Sequence, residues 1–199
     1  MNAVIYFNRY GLMTKTLWQS PAIALLTAAA VICCTAAYAQ DPKKPAKPEP
    51  TEQAVLLGQF GGWGAYTATP GGKKVCFALA KPASAVIEPA GRKRDPSYAF
   101  VSTRPAEKVK NEVSMIVGYP QKAGVDATAS IGSASYAMYT QNDGAWVKNA
   151  AEEAQMVETM RKSADLVVKS VSTHGTKTTD TYSLKGLGQA LDKVAEECK

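Results

Sequence analysis

From Val55 onward the chain breaks into short apolar runs, each ended within a few residues by Gly, Pro, Asn or Asp, and most of them alternate with a period of two. This pattern constrains the fold more than any other feature. A period of two puts successive side chains on opposite faces of a strand, and runs this short cannot supply the long apolar stripe of a helical bundle. In KKVCFALAKP (73–82), Val75, Phe77 and Leu79 share one face while Cys76, Ala78 and Ala80 share the other. Both faces are apolar, as in a strand buried on both sides. Upstream, residues 63–66 and the turn sequence Thr69-Pro-Gly-Gly72 predict a hairpin with it. Residues 97–103 and 111–120 form the next expected pair, joined through 104–110 with Pro105 at the break. Residues 125–131 and 135–140 face each other across Gly132-Ser133; Leu166 to Val171 reverses at His174-Gly175 and returns through Thr178 to Tyr182. About eight short strands joined by hairpin turns predict a mainly-β fold, an antiparallel sandwich or barrel.

Two segments carry a helical signature instead. Residues 149–163 are rich in helix formers, with Met156 and Met160 on one side, Glu152 and Glu153 at the start and Arg161-Lys162 at the end. At the C-terminus Leu187, Leu191, Val194 and Cys198 recur at spacings of four, three and four, one apolar helix face.

The N-terminal end has a different composition. No charge occurs between Lys15 and Asp41, and within that window residues 21–37 are apolar and Ala-rich, preceded by Arg9 and Lys15 and closed by Ala37-Tyr38-Ala39. A basic start, an apolar middle and an A-x-A end predict a secretory signal peptide over 1–39, cut after Ala39; an uncleaved anchor is the rival reading. Met13, followed by Lys15, is an alternative start. Residues 40–54 contain DPKKPAKPEPTE, with prolines at 42, 45, 48 and 50, and predict an extended spacer too polar to build a core. Residues 55–199 are the predicted domain. Loss of Arg9 and Lys15 lowers the formal charge of +6 by two. An exported chain with no dense Arg/Lys run interleaved with aromatics is not expected to bind nucleic acid, and its membrane contact after cleavage is peripheral at most.

Cys33 and Cys34 leave with the signal, so Cys76 and Cys198 remain. In an oxidising compartment two cysteines imply the single possible bridge, Cys76–Cys198. Closing so long a loop is worth about 4–5 kcal/mol on the chain-entropy estimate. A reactive dithiol would want C-x-x-C or a basic group set beside the thiol, and neither is obvious at these positions, so the bridge is read as structural.

A search for chemistry finds little. His174 is the only histidine, at a hairpin tip; a triad with Asp180 and a nearby serine has nothing to fix its geometry, and no G-x-S-x-G occurs. One histidine and two paired cysteines cannot assemble a zinc site. Asn142-Asp143-Gly144 lacks the acidic positions of a calcium loop and is read as a turn. No catalytic, cofactor-binding or metal-ligating residue is therefore expected. Glu107, Glu112, Glu152 and Glu153 alternate with Lys and Arg, as ordinary surface ion pairs do. The more unusual cluster is basic: Arg92, Lys93 and Arg94, then Arg104, Lys108 and Lys110. These six are expected to share one rim, either as solvated loops or as a docking patch for an anionic envelope component.

Four stretches carry a resemblance: KKVCFALAKP at 73–82, RKRDPSYAFVSTRPAEKVKNEVSMIVGYP at 92–120, DGAWVKNAAEEAQMVETMRKS at 143–163 and THGTKTTDTYSLKGL at 173–187. They resemble the invasion-associated locus B family of Gram-negative bacteria, from about Trp63 to Cys198, both cysteines included. The resemblance implies an antiparallel, immunoglobulin-like β-sandwich in an exported envelope protein, periplasmic or associated with the outer membrane. It implies a part in host-cell entry for pathogenic members, although many members occur in bacteria that invade nothing, and it brings no active site. The partner implied is an unidentified envelope or host-surface component. A periplasmic hydrolase assembled from distant loops, and a chaperone or inhibitor that adds a strand at a sheet edge, are the alternatives.

Overall fold

The alternation in the sequence becomes one antiparallel sheet. The computed structural model describes residues 53–199, so the expected signal peptide and all but the end of the spacer lie outside the described residues. In chain order the elements are β1 (Val55–Phe60), β2 (Trp63–Ala68), β3 (Val75–Ala80), β4 (Ser84–Glu88), β5 (Tyr98–Arg104), β6 (Val109–Ile116), β7 (Ala127–Ile131), β8 (Ala134–Gln141), β9 (Gly144–Val147), α1 (Ala150–Arg161), β10 (Asp165–Val171), β11 (Lys177–Ser183) and α2 (Leu187–Glu197). Across the sheet the order is β1-β2-β3-β5-β6-β9-β8-β7-β10-β11-β4, which leaves β1 and β4 as the edges. The expected hairpins β2–β3, β5–β6, β7–β8 and β10–β11 all form. Strands β1, β4 and β9 are additions to what the sequence pattern predicts, in which the start of β9 belongs to a turn.

The two ends of this strand order come together. The Trp63 indole on β2 donates to the Ser183 carbonyl on β11 at 2.8 Å. Gly186, at φ 92, backs onto the Phe60 carbonyl so closely that a Cβ there would clash with it. Inner-face residues from both halves, Ala78, Val101 and Met115 with Ile131, Val168 and Tyr182, enter one core, the layering of a β-sandwich.

Both helices close that core. Leu187, Ala190, Leu191 and Val194 form the buried stripe of α2, which packs on β1, β2 and β3. Full burial of each of its larger apolar side chains is worth about 1.5–3 kcal/mol. Cys198 follows the last turn of α2 and is bonded to Cys76, with S–S 2.02 Å and Cα–Cα 5.9 Å. Helix α1 starts at the Asn149 cap, whose Oδ1 accepts from the Glu152 N–H at 2.9 Å, and buries Met156, Val157 and Met160. On the opposite face of the sheet Val75, Phe77 and Phe100 form a second cluster with Tyr66, Leu79 and Tyr98, so β3 is apolar and buried on both sides, as its alternation predicts.

Candidate functional site

The expected basic rim does not exist as one surface. Residues 92–94 precede β5, whereas Arg104 is its last residue and Lys108 and Lys110 lie beyond it, so the length of the strand, about 20 Å at 3.3 Å per residue, separates the two halves. Two of its six members are also withdrawn from solvent. Arg104 donates from Nη1 and Nη2 to the two carboxylate oxygens of Glu112 at 3.0 Å each, and from Nε to Glu107 at 2.8 Å. Its side chain and that of Glu112 are both buried. Burial pulls the Arg104 pKa down, but its hydrogen bonds to Glu112 and Glu107 outweigh this and hold the guanidinium above its ordinary value. Glu112 is therefore no surface partner, contrary to the sequence reading; it sits opposite Ser102, inside the β5–β6 pairing. Arg104 fixes this hairpin, and Lys108 and Lys110 are the exposed charges left there.

At the other end of β5, Arg94 is anchored in the same manner. It donates from both Nη atoms to the carboxylate of Asp180 and from Nη1 to the Val117 carbonyl at 2.9 Å. The two side chains are 7% and 1% exposed. Burial again opposes the charge, and the Asp180 hydrogen bonds and charge prevail, so the Arg94 pKa lies above its ordinary value. The phenol of Tyr182 is raised, first by burial and then by the Asp180 charge.

Around that anchor three loops are tied into one surface. The Asp95 N–H donates to the Gly118 carbonyl at 3.0 Å, and Gly118, at φ 78, has no room for a Cβ against the Asp95 carbonyl. Gln121 bridges to Ser172; its amide donates to the Gly144 carbonyl at 2.7 Å and accepts from the Ser170 hydroxyl at 2.7 Å. Ser172 Oγ accepts the backbone N–H groups of His174 at 3.2 Å and Thr176 at 3.0 Å, setting the tip of the β10–β11 hairpin. The Thr173 N–H donates to the Pro120 carbonyl at 3.0 Å, and the hydroxyls of Tyr119 and Thr178 share a 2.6 Å hydrogen bond.

Between residues 92–94 and this hairpin tip lies a cleft of about 170 Å³, walled by Ile87, Tyr119 and Pro120 and bordered by Arg92, Lys93 and His174. No Asp or Glu lines it. Arg92, Lys93 and His174 are exposed, and among the described residues none of them enters an ion pair. Since Arg94 is neutralised by Asp180, Arg92 and Lys93 are the Arg and Lys side chains at the cleft whose charge has no carboxylate partner. A wider, open basin of about 700 Å³ adjoins it through Lys93, Tyr119 and Pro120, and this one includes Asp95 and Asp143.

The sequence named Arg92, Lys93 and His174 but missed Tyr119 and the role of Asp180. Asp180 shares the inward register of β11 with Thr178 and Tyr182, and a charge at an inward position requires a buried partner. Asp180 thus serves Arg94, and the Ser172 hydroxyl is taken up by the hairpin tip. No group of three or more His, Cys, Asp or Glu side chains gathers as a metal site among the described residues.

The model of the Invasion associated locus B (IalB) protein family matches residues 63–195. No curated protein and no solved structure matches the chain.

Proposed function

We propose that this chain, which belongs to the invasion associated locus B family, is a non-enzymatic protein of the cell envelope that binds an anionic envelope or surface component at the Arg92–Lys93 cleft. The observation that carries the reading is the charge of that cleft: two exposed cations and His174 border a hollow with no carboxylate in its lining. Its walls are tied by backbone and buried side-chain hydrogen bonds, so the cations project from a rigid frame rather than from a free loop. The aromatic and proline walls can hold the apolar part of a ligand while Arg92 supplies a planar fork to a phosphate or carboxylate. The disulfide supports an oxidising compartment, in agreement with the predicted signal, and hence a periplasmic or outer-membrane-associated protein. In a pathogenic carrier, adhesion of this kind is how such a protein would contribute to host-cell entry.

The test is binding of the purified protein to vesicles containing an anionic phospholipid, with neutral vesicles as the reference. Binding is expected to weaken as salt rises through about 0.1 M, where the screening length is about 10 Å. It is expected to be lost on double reversal at Arg92 and Lys93 (R92E/K93E) and kept on double reversal at Lys108 and Lys110 (K108E/K110E). Equal loss in both variants, or binding indifferent to salt and to R92E/K93E, overturns the reading.

A further inference from the structure

The size of the Arg92–Lys93 cleft and the donors around it narrow the chemistry of what it holds. Five side chains with a hydrogen to donate line it: Arg92 and Lys93 on one side, Thr173, His174 and Thr176 on the hairpin tip. Among the described residues none of these five side chains is hydrogen-bonded or ion-paired, whereas the hydroxyls of Ser172 and Thr178 are taken up inside the frame. The volume of about 170 Å³ falls below the roughly 300–1,000 Å³ of sites that enclose a drug-sized molecule. The cleft therefore takes a terminal group and leaves the rest of the ligand outside. The adjoining basin bears the exposed carboxylates of Asp95 and Asp143, so an anionic chain that ran on past Tyr119 and Pro120 would meet like charge.

We propose that the group held in the cleft is a phosphate monoester, the terminal phosphate of a ligand whose body is otherwise uncharged; this rests on the reading of the cleft as an anion site. A phosphate monoester carries about −1.5 to −2 charges at pH 7 and three strong acceptor oxygens. That charge answers two cations without carboxylate partners, and the three oxygens can engage donors from both sides of the cleft. A carboxylate or a phosphodiester carries a single charge and leaves one cation unanswered. The diester also fits less well in shape. Its phosphate has a substituent on either side, and one of them must share the small cleft or cross to the acidic basin. Arg92 presents a planar fork to two of the oxygens while Lys93 acts as a point charge. Ile87, Tyr119 and Pro120 then flank the carbon that bears the ester.

The experiment compares co-sedimentation of the purified protein with vesicles containing phosphatidic acid, a monoester, and with vesicles containing phosphatidylglycerol, a diester, at matched surface charge and about 0.1 M salt. Binding to the monoester vesicles is expected to be at least about tenfold tighter. The preference is expected to fall at least about threefold in H174A/T176A, whose melting temperature should match that of the parent protein. Soluble glycerol phosphate, added as competitor, separates the two sources of the group. Displacement at about micromolar concentration identifies a free ester as the ligand, and displacement only at about millimolar concentration identifies a phosphate displayed on a surface. Dimethyl phosphate is expected to displace nothing in either case. Equal binding to the two lipids at matched charge overturns the monoester and leaves the anionic cleft standing, whereas binding to neither overturns both. A preference that H174A/T176A does not change, or displacement by dimethyl phosphate as effective as by glycerol phosphate, also overturns the proposal.

Discussion

Replacement of Asp180 by Asn is the sharpest test of how the cleft is supported. The carboxylate is almost fully buried and takes both Nη atoms of Arg94, whose own side chain is 7% exposed. Asn keeps the shape and removes the charge, leaving a buried guanidinium with neutral acceptors only, the Val117 carbonyl and the amide oxygen, and an NH2 group facing its other Nη. Removing one partner of a buried ion pair costs about 3–5 kcal/mol, a large share of the roughly 5–15 kcal/mol that stabilises a domain. At about 2–4 °C per kcal/mol for a domain of this size, the melting temperature is expected to fall by about 6–20 °C. Urea unfolding followed by tryptophan fluorescence is the assay, since Trp63 is fully buried and changes environment on unfolding. The second arm replaces both partners by apolar residues (R94M/D180L). Because the cost comes from an unpaired charge, the double variant is expected to recover most of the loss. A loss under about 1 kcal/mol in D180N, the worth of a surface pair, would refute the argument. So would a double variant as unstable as the single one, which would place the loss in packing.

Cys198→Ala is expected to cost up to about 4–5 kcal/mol for a bridge of sequence separation 122, checked by urea midpoint with and without reductant; a midpoint that reductant does not move in the parent protein would contradict it. Gly118→Ala forces a Cβ onto the Asp95 carbonyl at a positive φ and is expected to cost at least about 2 kcal/mol, whereas Gly124→Ala, with open space around it, costs only the positive-φ strain. Tyr182 has a raised folded pKa, so its neutral form is the one the fold prefers; its stabilisation is complete below the ordinary value of about 10 and is lost as pH rises above it towards the folded value. Melting temperatures measured from pH 9 upwards are therefore expected to fall more steeply in the parent protein than in Tyr182→Phe, and parallel curves would remove Tyr182 from the account.

The strands that were legible in the sequence are those whose alternation is uninterrupted and whose turns carry Gly or Pro: β2 and β3, β5 and β6, β7 and β8, β10 and β11. Those that were missed break one of the two signals. The extra Leu57 upsets the period of β1, β4 is a short exposed edge, and β9 has only four residues, opening on the Gly of a turn. The disulfide followed from counting the cysteines left once the sequence is read as carrying an export signal, which needs no geometry. The basic rim failed for want of geometry. Residues 92–94 and 104–110 are near in sequence, yet the strand between them carries them to opposite ends of the sheet. The burial of Arg104 had a readable cause: Glu112 is placed across the hairpin from Ser102, two residues before Arg104 on the same face. The Arg94–Asp180 partnership joins positions too far apart in the chain for any local pattern to reveal.

The packing of α2 and Cys198 over β1, β2 and β3 has a bearing on how the protein comes into being. A chain that emerges N-terminus first delivers its opening strands early and the helix that covers them last. Until residues 187–198 arrive, Ala65, Ala78 and Trp63 have no roof, and the thiol of Cys76 has no mate. Contacts of such sequence separation make folding slow and its commitment late. The opening hairpin is thus the stretch whose apolar face stays uncovered longest during synthesis, and premature termination near the C-terminus leaves that face open to aggregation.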